Sequence, residues 1–274
     1  NLSGITLSRM RRRMEEIGDY ADAPYNTETD YPADNSRVVV MGLCPSAMTT
    51  ADSHTTYSLP SRAGLTDVLV TPNGVTGSRK QPFGQALEFA HAAVRIVLKA
   101  RRTDNTVGKL YVKNLKLTVP ARLVCGGLKW DTGAKQYLAA PAAADLVINH
   151  SGQILSTEDT QVAVFYLTPC SPADLLTDLT GTGGTPGLTL TADVAKDINF
   201  TTGARNASFP ILDGNLNFMD QFGSPATQLK GGESYETTLK FDIDSFTLEG
   251  EEKEWEDGGK MTVPVVVPEP TPGP

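Results

Sequence analysis

The sequence of 274 residues is poor in the residue types that build metal centres and redox sites. It contains only three histidines and three cysteines, the latter being Cys44, Cys125 and Cys170. The cysteines are odd in number, lie far apart and show no C-x-x-C spacing, so a metal site would need an unusual long-range assembly. We expect three buried small apolar residues; the alternative is one disulfide with one free thiol.

Positive charge and long apolar runs are also scarce. The chain has 24 Lys and Arg against 32 Asp and Glu, a net charge of −8, so nucleic acid is not an expected partner. No run reaches the roughly 18 to 20 apolar residues of a membrane-spanning helix. Residues 1–20 contain no apolar signal-peptide core and the chain begins with Asn1 rather than Met. This pattern favours a mature or trimmed product.

Catalytic sequence motifs are absent as well. The sequence contains no G-x-S-x-G, no phosphate-binding glycine loop and no H-E-x-x-H. Among His54, His91 and His150, His91 lies in an apolar strand pattern that favours a packed, hydrogen-bonded side chain. We therefore expect no enzyme, no cofactor and no metal. An active site would need a cleft that joins one histidine to acidic side chains.

What the chain does have is period-two hydrophobic alternation and many turn residues, with 25 Gly and 18 Pro. This composition and periodicity predict an all-β protein. The segment at 37–43 is predicted to be buried on both faces, and the segment at 86–100 is predicted to break near His91. The other predicted strands are 66–71, 111–119, 161–167 and 235–243.

The length is compatible with two domains of ordinary size. The strand at 161–167 is followed by Pro169 and Pro172 and then by a stretch rich in Thr and Gly at 177–189. Because such punctuation is typical of a boundary, we predict an N-terminal β-sandwich domain at 1–160. A C-terminal β-sandwich domain with an extended tail would occupy 161–274.

Two features near the ends of the sequence stand out. Near the start, four arginines precede Glu15 and Glu16, which weakens the cluster as a membrane or nucleic-acid tether. Near the end, residues 261–267 have strong β character, yet they contain Pro264, which is excluded from a central strand, and a Pro-rich segment follows them. The alternative interpretation is a frayed N-terminus with an ordinary unpaired tail.

Five short motifs, taken in order, resemble the fimbrillin and fimbrillin-like fimbrial subunits of Bacteroidales. They are the Tyr-Pro turn at 31–32, the L-x-D-L-L-like segment at 64–70, the L-x-F-x-H-A motif at 87–92, the G-x-x-Y turn at 231–235 and the W-x-x-G motif at 255–258. Residues 1–30 are shorter than the opening strands of that family.

This resemblance implies two β-sandwich domains of transthyretin-like, Greek-key topology in tandem. It also implies a secreted lipoprotein of the outer-membrane surface, held there only by a lipid anchor on the precursor, and a place in a fimbrium (pilus). The expected partners are other pilin subunits, identical or related, joined by β-strand addition, with a host surface protein or glycan as a further class.

Assembly in that family occurs by protease-triggered donor-strand exchange, and this mechanism assigns roles to both end segments. The predicted processing sites are Arg9, Arg11, Arg12 and Arg13. The predicted donor strand, chosen for its β-prone character, contains Met261, Val263, Val265, Val266 and Val267. The alternative function is a cell-surface adhesin or glycan-binding lipoprotein of the same fold, with Trp130 or Trp255 exposed for sugar stacking.

Overall fold

The structure is a computed structural model of the chain. It describes residues 13–14, 19–20, 34–45, 48–50, 54–59, 61–72, 74–78, 80–81, 88–102, 111–154, 157–175, 187–195, 197–210, 226–241, 246–254 and 257–265. Apart from one 3₁₀ turn at Pro172–Leu175, the regular elements in these ranges are β-strands. The predicted all-β class is therefore confirmed.

The strands are short in the first third of the chain and longer thereafter. They are β1 Arg13–Met14, β2 Asp19–Tyr20, β3 Val38–Val40, β4 Leu43–Cys44, β5 Thr49–Thr50, β6 Thr56–Ser58, β7 Leu69–Val70, β8 Val75–Gly77, β9 Ala90–His91, β10 Val94–Arg102, β11 Tyr111–Val119, β12 Cys125–Asp131, β13 Gln136–Pro141, β14 Leu146–Ile154, β15 Thr160–Leu167, β16 Thr189–Ala195, β17 Arg205–Pro210, β18 Ser234–Phe241, β19 Phe246–Glu254 and β20 Asp257–Val265.

Three larger sheets organise these strands. One has five strands in the order β15-β10-β18-β19-β20, a second has four in the order β14-β11-β16-β17, and a third has four in the order β13-β12-β6-β5. Smaller sheets pair β1 with β2, β3 with β8, and β4 with β7 and β9. In the five-stranded sheet β10 pairs antiparallel with β15 and parallel with β18.

Strand β11 illustrates how the alternation in the sequence becomes structure. Val112, Leu115, Leu117 and Val119 are buried, and Lys116 is exposed, as expected for a strand with one dry face. The pairing register shifts between Lys113 and Leu115. This bulge keeps the buried residues before and after it on the same face.

The predicted break near His91 is also confirmed. Strand β9 ends at His91 and β10 begins at Val94. Ala93 joins a smaller core with residues of β7, β12 and β13, whereas Val94 joins the larger core. The break therefore redirects the chain from one core to the other.

Two apolar cores hold the sheets together. The larger core spans positions 94 to 239 in the sequence and includes Phe165, Leu190 and Tyr235. The smaller core spans positions 59 to 137 and includes Val68 and Leu128. The larger core includes residues from both sides of position 160. The predicted domain boundary and the tandem sandwich arrangement stay predictions.

One prediction about burial was wrong. The segment at 37–43 forms only β3 and part of β4, and Val39 is 54% exposed. The physical reason is that, among the strands that the structure describes, β3 has β8 as its one neighbour, in a two-stranded sheet. A strand in so small a sheet is not covered on both faces, although its sequence reads as a continuous apolar run.

In the part of the chain that the structure describes, no helix is long and apolar enough to cross a membrane.

The larger core makes a direct prediction about stability. Phe165 is 1% exposed, so Phe165→Ala should lower the free energy of unfolding by about 3–5 kcal/mol, through lost burial and a new cavity. Leu138 is 42% exposed in β13 and is the matched control. Leu138→Ala should change the free energy of unfolding by less than about 0.5 kcal/mol. Urea unfolding measures both. Equal losses would contradict the assignment of the core.

Candidate functional site

The candidate site is the C-terminal side of the five-stranded sheet, where β18, β19 and β20 follow one another. Strand β18 forms because Tyr235 and Leu239 alternate with polar residues, and these two side chains are 1% and 2% exposed. They enter the larger core. The predicted amphipathic strand at 235–243 is confirmed up to Phe241, where β18 ends.

The turn before β18 lies directly against the start of β10. Gly232 N donates to Ala93 O at 3.0 Å, and Arg95 N donates to Glu233 O at 3.0 Å. A Cβ atom on Gly231 would lie 2.5 Å from Ala92 O, and Gly232 has a φ of 86°. Glycine is therefore required at 231 by close approach and favoured at 232 by conformation.

Side-chain contacts between the parallel strands β10 and β18 supplement their backbone hydrogen bonds. Lys99 on β10 forms an ion pair with Glu236 on β18, and their side chains are 25% and 15% exposed. Nearer the turn, Arg95 Nη1 donates to Ser234 Oγ at 3.3 Å. These contacts hold β18 in register with β10.

A third strand, β15, is tied into the same sheet by an aspartate just before it. Asp159 lies 3.5 Å from Arg101 Nη1 and accepts a hydrogen bond from Thr238 Oγ1 at 3.2 Å. One carboxylate thus contacts both strands of the parallel pair.

Strands β19 and β20 extend the sheet as an antiparallel hairpin. Leu239 pairs with Leu248, which pairs with Val263. Among the described strands, β20 has β19 as its one neighbour and forms the sheet edge. The position of Pro264 agrees with this, since a proline lacks the N–H needed in a central strand.

The predicted donor segment therefore lies at this edge. Met261 pairs with Gly250, Val263 with Leu248, and Val265 with Phe246. Val266 and Val267 lie outside the described residues.

The predicted processing sites are far from this edge in sequence. Arg13 begins β1 and pairs with Tyr20. Arg9, Arg11 and Arg12 lie outside the described residues. The structure therefore places one arginine of the cluster in a short hairpin and brings none of them to a described contact with β20.

His91 agrees with the packed, hydrogen-bonded interpretation, and His54 also has a polar partner. His91 Nδ1 lies 2.5 Å from Asp67 Oδ2, and His54 Nδ1 lies 2.9 Å from the Tyr57 hydroxyl. Burial first, and the charge of Asp67 to a smaller extent, raise the pKa of the Cys125 thiol to about 12. A thiol with so high a pKa is protonated at neutral pH and a poor nucleophile.

Within the described ranges, the side chains form no group of three or more His, Cys, Asp or Glu that could hold a metal ion.

Trp130 belongs to the margin of the smaller core. It is half-buried, and its ring lies edge-on to Tyr137 with the centroids 5.1 Å apart. This agrees with burial against the core more than with an open sugar platform. Trp255 lies outside the described residues.

Sequence reasoning found the Gly231-Gly232 turn but missed what it touches. The strand partner of β18 is β10, some 140 residues earlier in the chain, and no local pattern encodes such a distant pairing. The one available signal was the glycine pair itself, which marks a close approach of two backbones.

Docking of this turn is tested by a glycine substitution. Gly231→Ala should destabilise the protein by about 1–3 kcal/mol, because the added methyl group meets the Ala92 carbonyl. Gly133→Ala is the control, since a Cβ there would meet only Asp131 Oδ1 at 3.3 Å. Thermal unfolding of both variants is the measurement. Equal midpoints would show that the turn does not pack against β10.

The buried thiols are tested by chemical labelling. Burial raises the pKa of both Cys125 and Cys170 to about 12. At pH 8 the thiolate fraction is then on the order of 1 in 10,000, and both thiols are also covered. We expect Ellman's reagent to modify neither in the native protein and both in guanidinium. Rapid native labelling of either would contradict this packing.

Comparison with known proteins does not assign the chain to a family. No protein-family model matches it, and no curated protein matches it significantly. A solved candidate cell adhesion protein of Bacteroides uniformis is 13% identical, with a TM-score of 0.47 and coverage of 82% of this chain and 76% of that chain. One from Parabacteroides distasonis is 12% identical, with a TM-score of 0.43 and coverage of 77% and 68%. One from Bacteroides eggerthii is 10% identical, with a TM-score of 0.30 and coverage of 73% and 63%. These likenesses are too weak to assign a function.

Proposed function

We propose that this chain is a structural subunit of a bacterial surface pilus or fimbria, that it is not an enzyme, and that it assembles by protease-triggered donor-strand exchange. The observation that carries the proposal is the position of Met261, Val263 and Val265 in a strand at the edge of a sheet. An edge strand presents unpaired backbone groups that another chain can bind.

The donor segment has the sequence properties that strand addition needs. Met261, Val263 and Val265 alternate with Lys260, Thr262 and Pro264, and alternate positions fall on one face of a strand. In strand addition the backbone hydrogen bonds provide affinity, and pockets for alternate side chains provide specificity. The prolines after position 267 disfavour further strand pairing beyond the donor.

Within one chain residues 261–265 of this segment are already paired with β19. Exchange would therefore replace one set of ladder hydrogen bonds with another, and the net gain must come from the groove that receives the donor. In this proposal, cleavage within the arginine cluster at 9–13 opens that groove by releasing the residues before the cut. Because the contact is head-to-tail and does not close on itself, the product is a fibre.

The proposed partners are other copies of this chain or related pilins, at the cell surface and associated with the outer membrane through a lipid anchor on the precursor. The acidic net charge of −8 disfavours nucleic acid. A second candidate function is a glycan-binding adhesin of the same fold. It is favoured by the side chains of Asn114, Asp193 and Asn206, which are hydrogen-bonded to one another on the four-stranded sheet of β14, β11, β16 and β17.

The fibre proposal is tested by limited trypsin digestion, with mass spectrometry to locate the cuts and electron microscopy to detect filaments. We expect cleavage within residues 9–13, followed by filaments. A variant with Arg9, Arg11, Arg12 and Arg13 changed to Gln should stay monomeric. Filaments from the uncut variant would contradict protease triggering, and a trimmed but monomeric wild type would contradict the fibre proposal.

The donor strand is tested by a matched pair of substitutions at neighbouring positions. Val263→Lys should abolish filaments, because it places a charge in a pocket of the neighbouring subunit, whereas Thr262→Lys should allow them, because it falls on the opposite face. Thermal unfolding of both monomers controls for stability. Deletion of residues 261–274 should also abolish assembly, and unchanged assembly after that deletion would refute the donor role.

A further inference from the structure

A second surface of the molecule carries polar side chains that are hydrogen-bonded to one another. They lie on the outer face of the four-stranded sheet of β14, β11, β16 and β17. Leu190, Ala192 and Val194 of β16 are buried in the larger core. Asp193 alternates with them and is therefore on the opposite face. It pairs in register with Lys113 of β11 on one side and with Asn206 of β17 on the other.

Asp193 holds two asparagine side chains in place. Asn114 Nδ2 donates to one carboxylate oxygen at 2.7 Å, and Asn206 Nδ2 donates to the other at 3.1 Å. These hydrogen bonds, the one from Asn114 first, lower the pKa of Asp193 below its ordinary value. The carboxylate is thus ionised at neutral pH, and both amides have fixed orientations.

Asn114 reaches Asp193 because the backbone is bent there. It has a φ of 52° and lies in the bulge where the register shifts between Lys113 and Leu115. Bulges of this kind redirect a side chain and are frequent next to functional sites.

The loop between β16 and β17 adds an aromatic ring to the same area. The Asp197 carboxylate accepts backbone hydrogen bonds from Asn199, Thr201 and Thr202, which fix the loop. In that loop Phe200 has a φ of 58°. Left-handed backbone is unusual for a bulky residue, and such strain is concentrated at binding and active sites.

Lys113 connects the ring to the polar group. Its Nζ lies 4.1 Å from the centroid of the Phe200 ring, and its charge also contributes to the low pKa of Asp193. A half-buried ring, an ammonium group, a carboxylate and two amides therefore lie side by side. Two residues of this set, Asn114 and Phe200, have left-handed backbone.

We propose that Lys113, Asn114, Asp193, Phe200 and Asn206 form a binding site for a neutral hexopyranose unit of a glycan. Sugar hydroxyls both donate and accept hydrogen bonds, and the carboxylate and amide oxygens are acceptors whereas the amide and ammonium hydrogens are donors. The apolar face of a pyranose ring packs against an aromatic side chain. Because the polar groups already hold one another in place, little conformational freedom is lost on binding.

The charges of the site balance, because Asp193 contributes one negative charge and Lys113 one positive charge. A neutral ligand leaves this pair intact, whereas a phosphate, sulfate or sialic acid would compete with Asp193 for Lys113 and be repelled by the carboxylate. The inference deepens the second candidate function and rests on it. It is independent of polymerisation, because the site lies on a different sheet from β20.

The test is binding of the full chain to a microarray of neutral and sialylated oligosaccharides, followed by titration calorimetry with the best neutral ligand. Asp193→Asn and Phe200→Gly should each weaken binding by about tenfold or more, since hydrogen bonds to hydroxyls or the stacking surface are lost. Glycine tolerates the φ at position 200, so the backbone of the loop should keep its conformation. Glu88→Gln, at an exposed carboxylate before β9, is the matched control and should bind like the wild type.

Every outcome bears on the site. Neutral-sugar binding that both variants lose and the control keeps would support it. No binding to any neutral oligosaccharide, binding only to sialylated ones, or equal loss in the Glu88→Gln control would overturn it. Filaments without sugar binding would refute this site alone, whereas sugar binding without filaments would refute the fibre proposal alone.

Discussion

The structure depends on the parallel pairing of β10 with β18. Strand β10 is the central element of the larger core: it contributes Val94, Ile96 and Leu98, and it pairs with β15 on one side and β18 on the other. Through β18 it supports the hairpin of β19 and β20. Because parallel strands cannot be joined by a tight turn, a long stretch of chain separates the two. That stretch contributes β11, β14, β16 and β17, which form a four-stranded sheet with residues in the same core.

This arrangement bears on the proposed strand exchange. Strand β18 is anchored by buried Tyr235 and Leu239, by the glycine turn and by the Lys99–Glu236 ion pair. Among the described strands, β20 has β19 as its one neighbour. Stability is not uniform within a sheet, and its elements can open separately. The proposed exchange requires that the outermost strand change partners while the core behind it stays folded.

Local features of the fold could be predicted from the sequence, and distant ones could not. The all-β class, strand β11 with its stop at Pro120, and the break after His91 follow from period-two alternation and turn residues. The parallel partner of β10 could not be predicted, because a pairing of residues so far apart leaves no periodic signal. The burial of Val39 was mispredicted, since an apolar run does not reveal how many neighbours a strand has.

The same limit applies to the polar site. Asn114, Asp193 and Asn206 come from three strands, and only their register brings them together. In the sequence each is one polar residue in a strand pattern, which favours a solvated face. The left-handed conformation of Phe200 also carries no sequence signal, because a bulky residue rarely adopts it, whereas asparagine at 114 is a weak signal since it tolerates this conformation.

The central claim, that β20 leaves β19 to pair with another subunit, is tested most directly by hydrogen exchange. Mass spectrometry would follow the amides of β19 and β20 in the uncut monomer and in filaments formed after trypsin cleavage. Our account predicts that β20 stays protected in filaments through its new partner, while β19 loses the protection that β20 gave it. Unchanged protection of both strands in filaments would show that β20 stays in place, and would contradict donor-strand exchange.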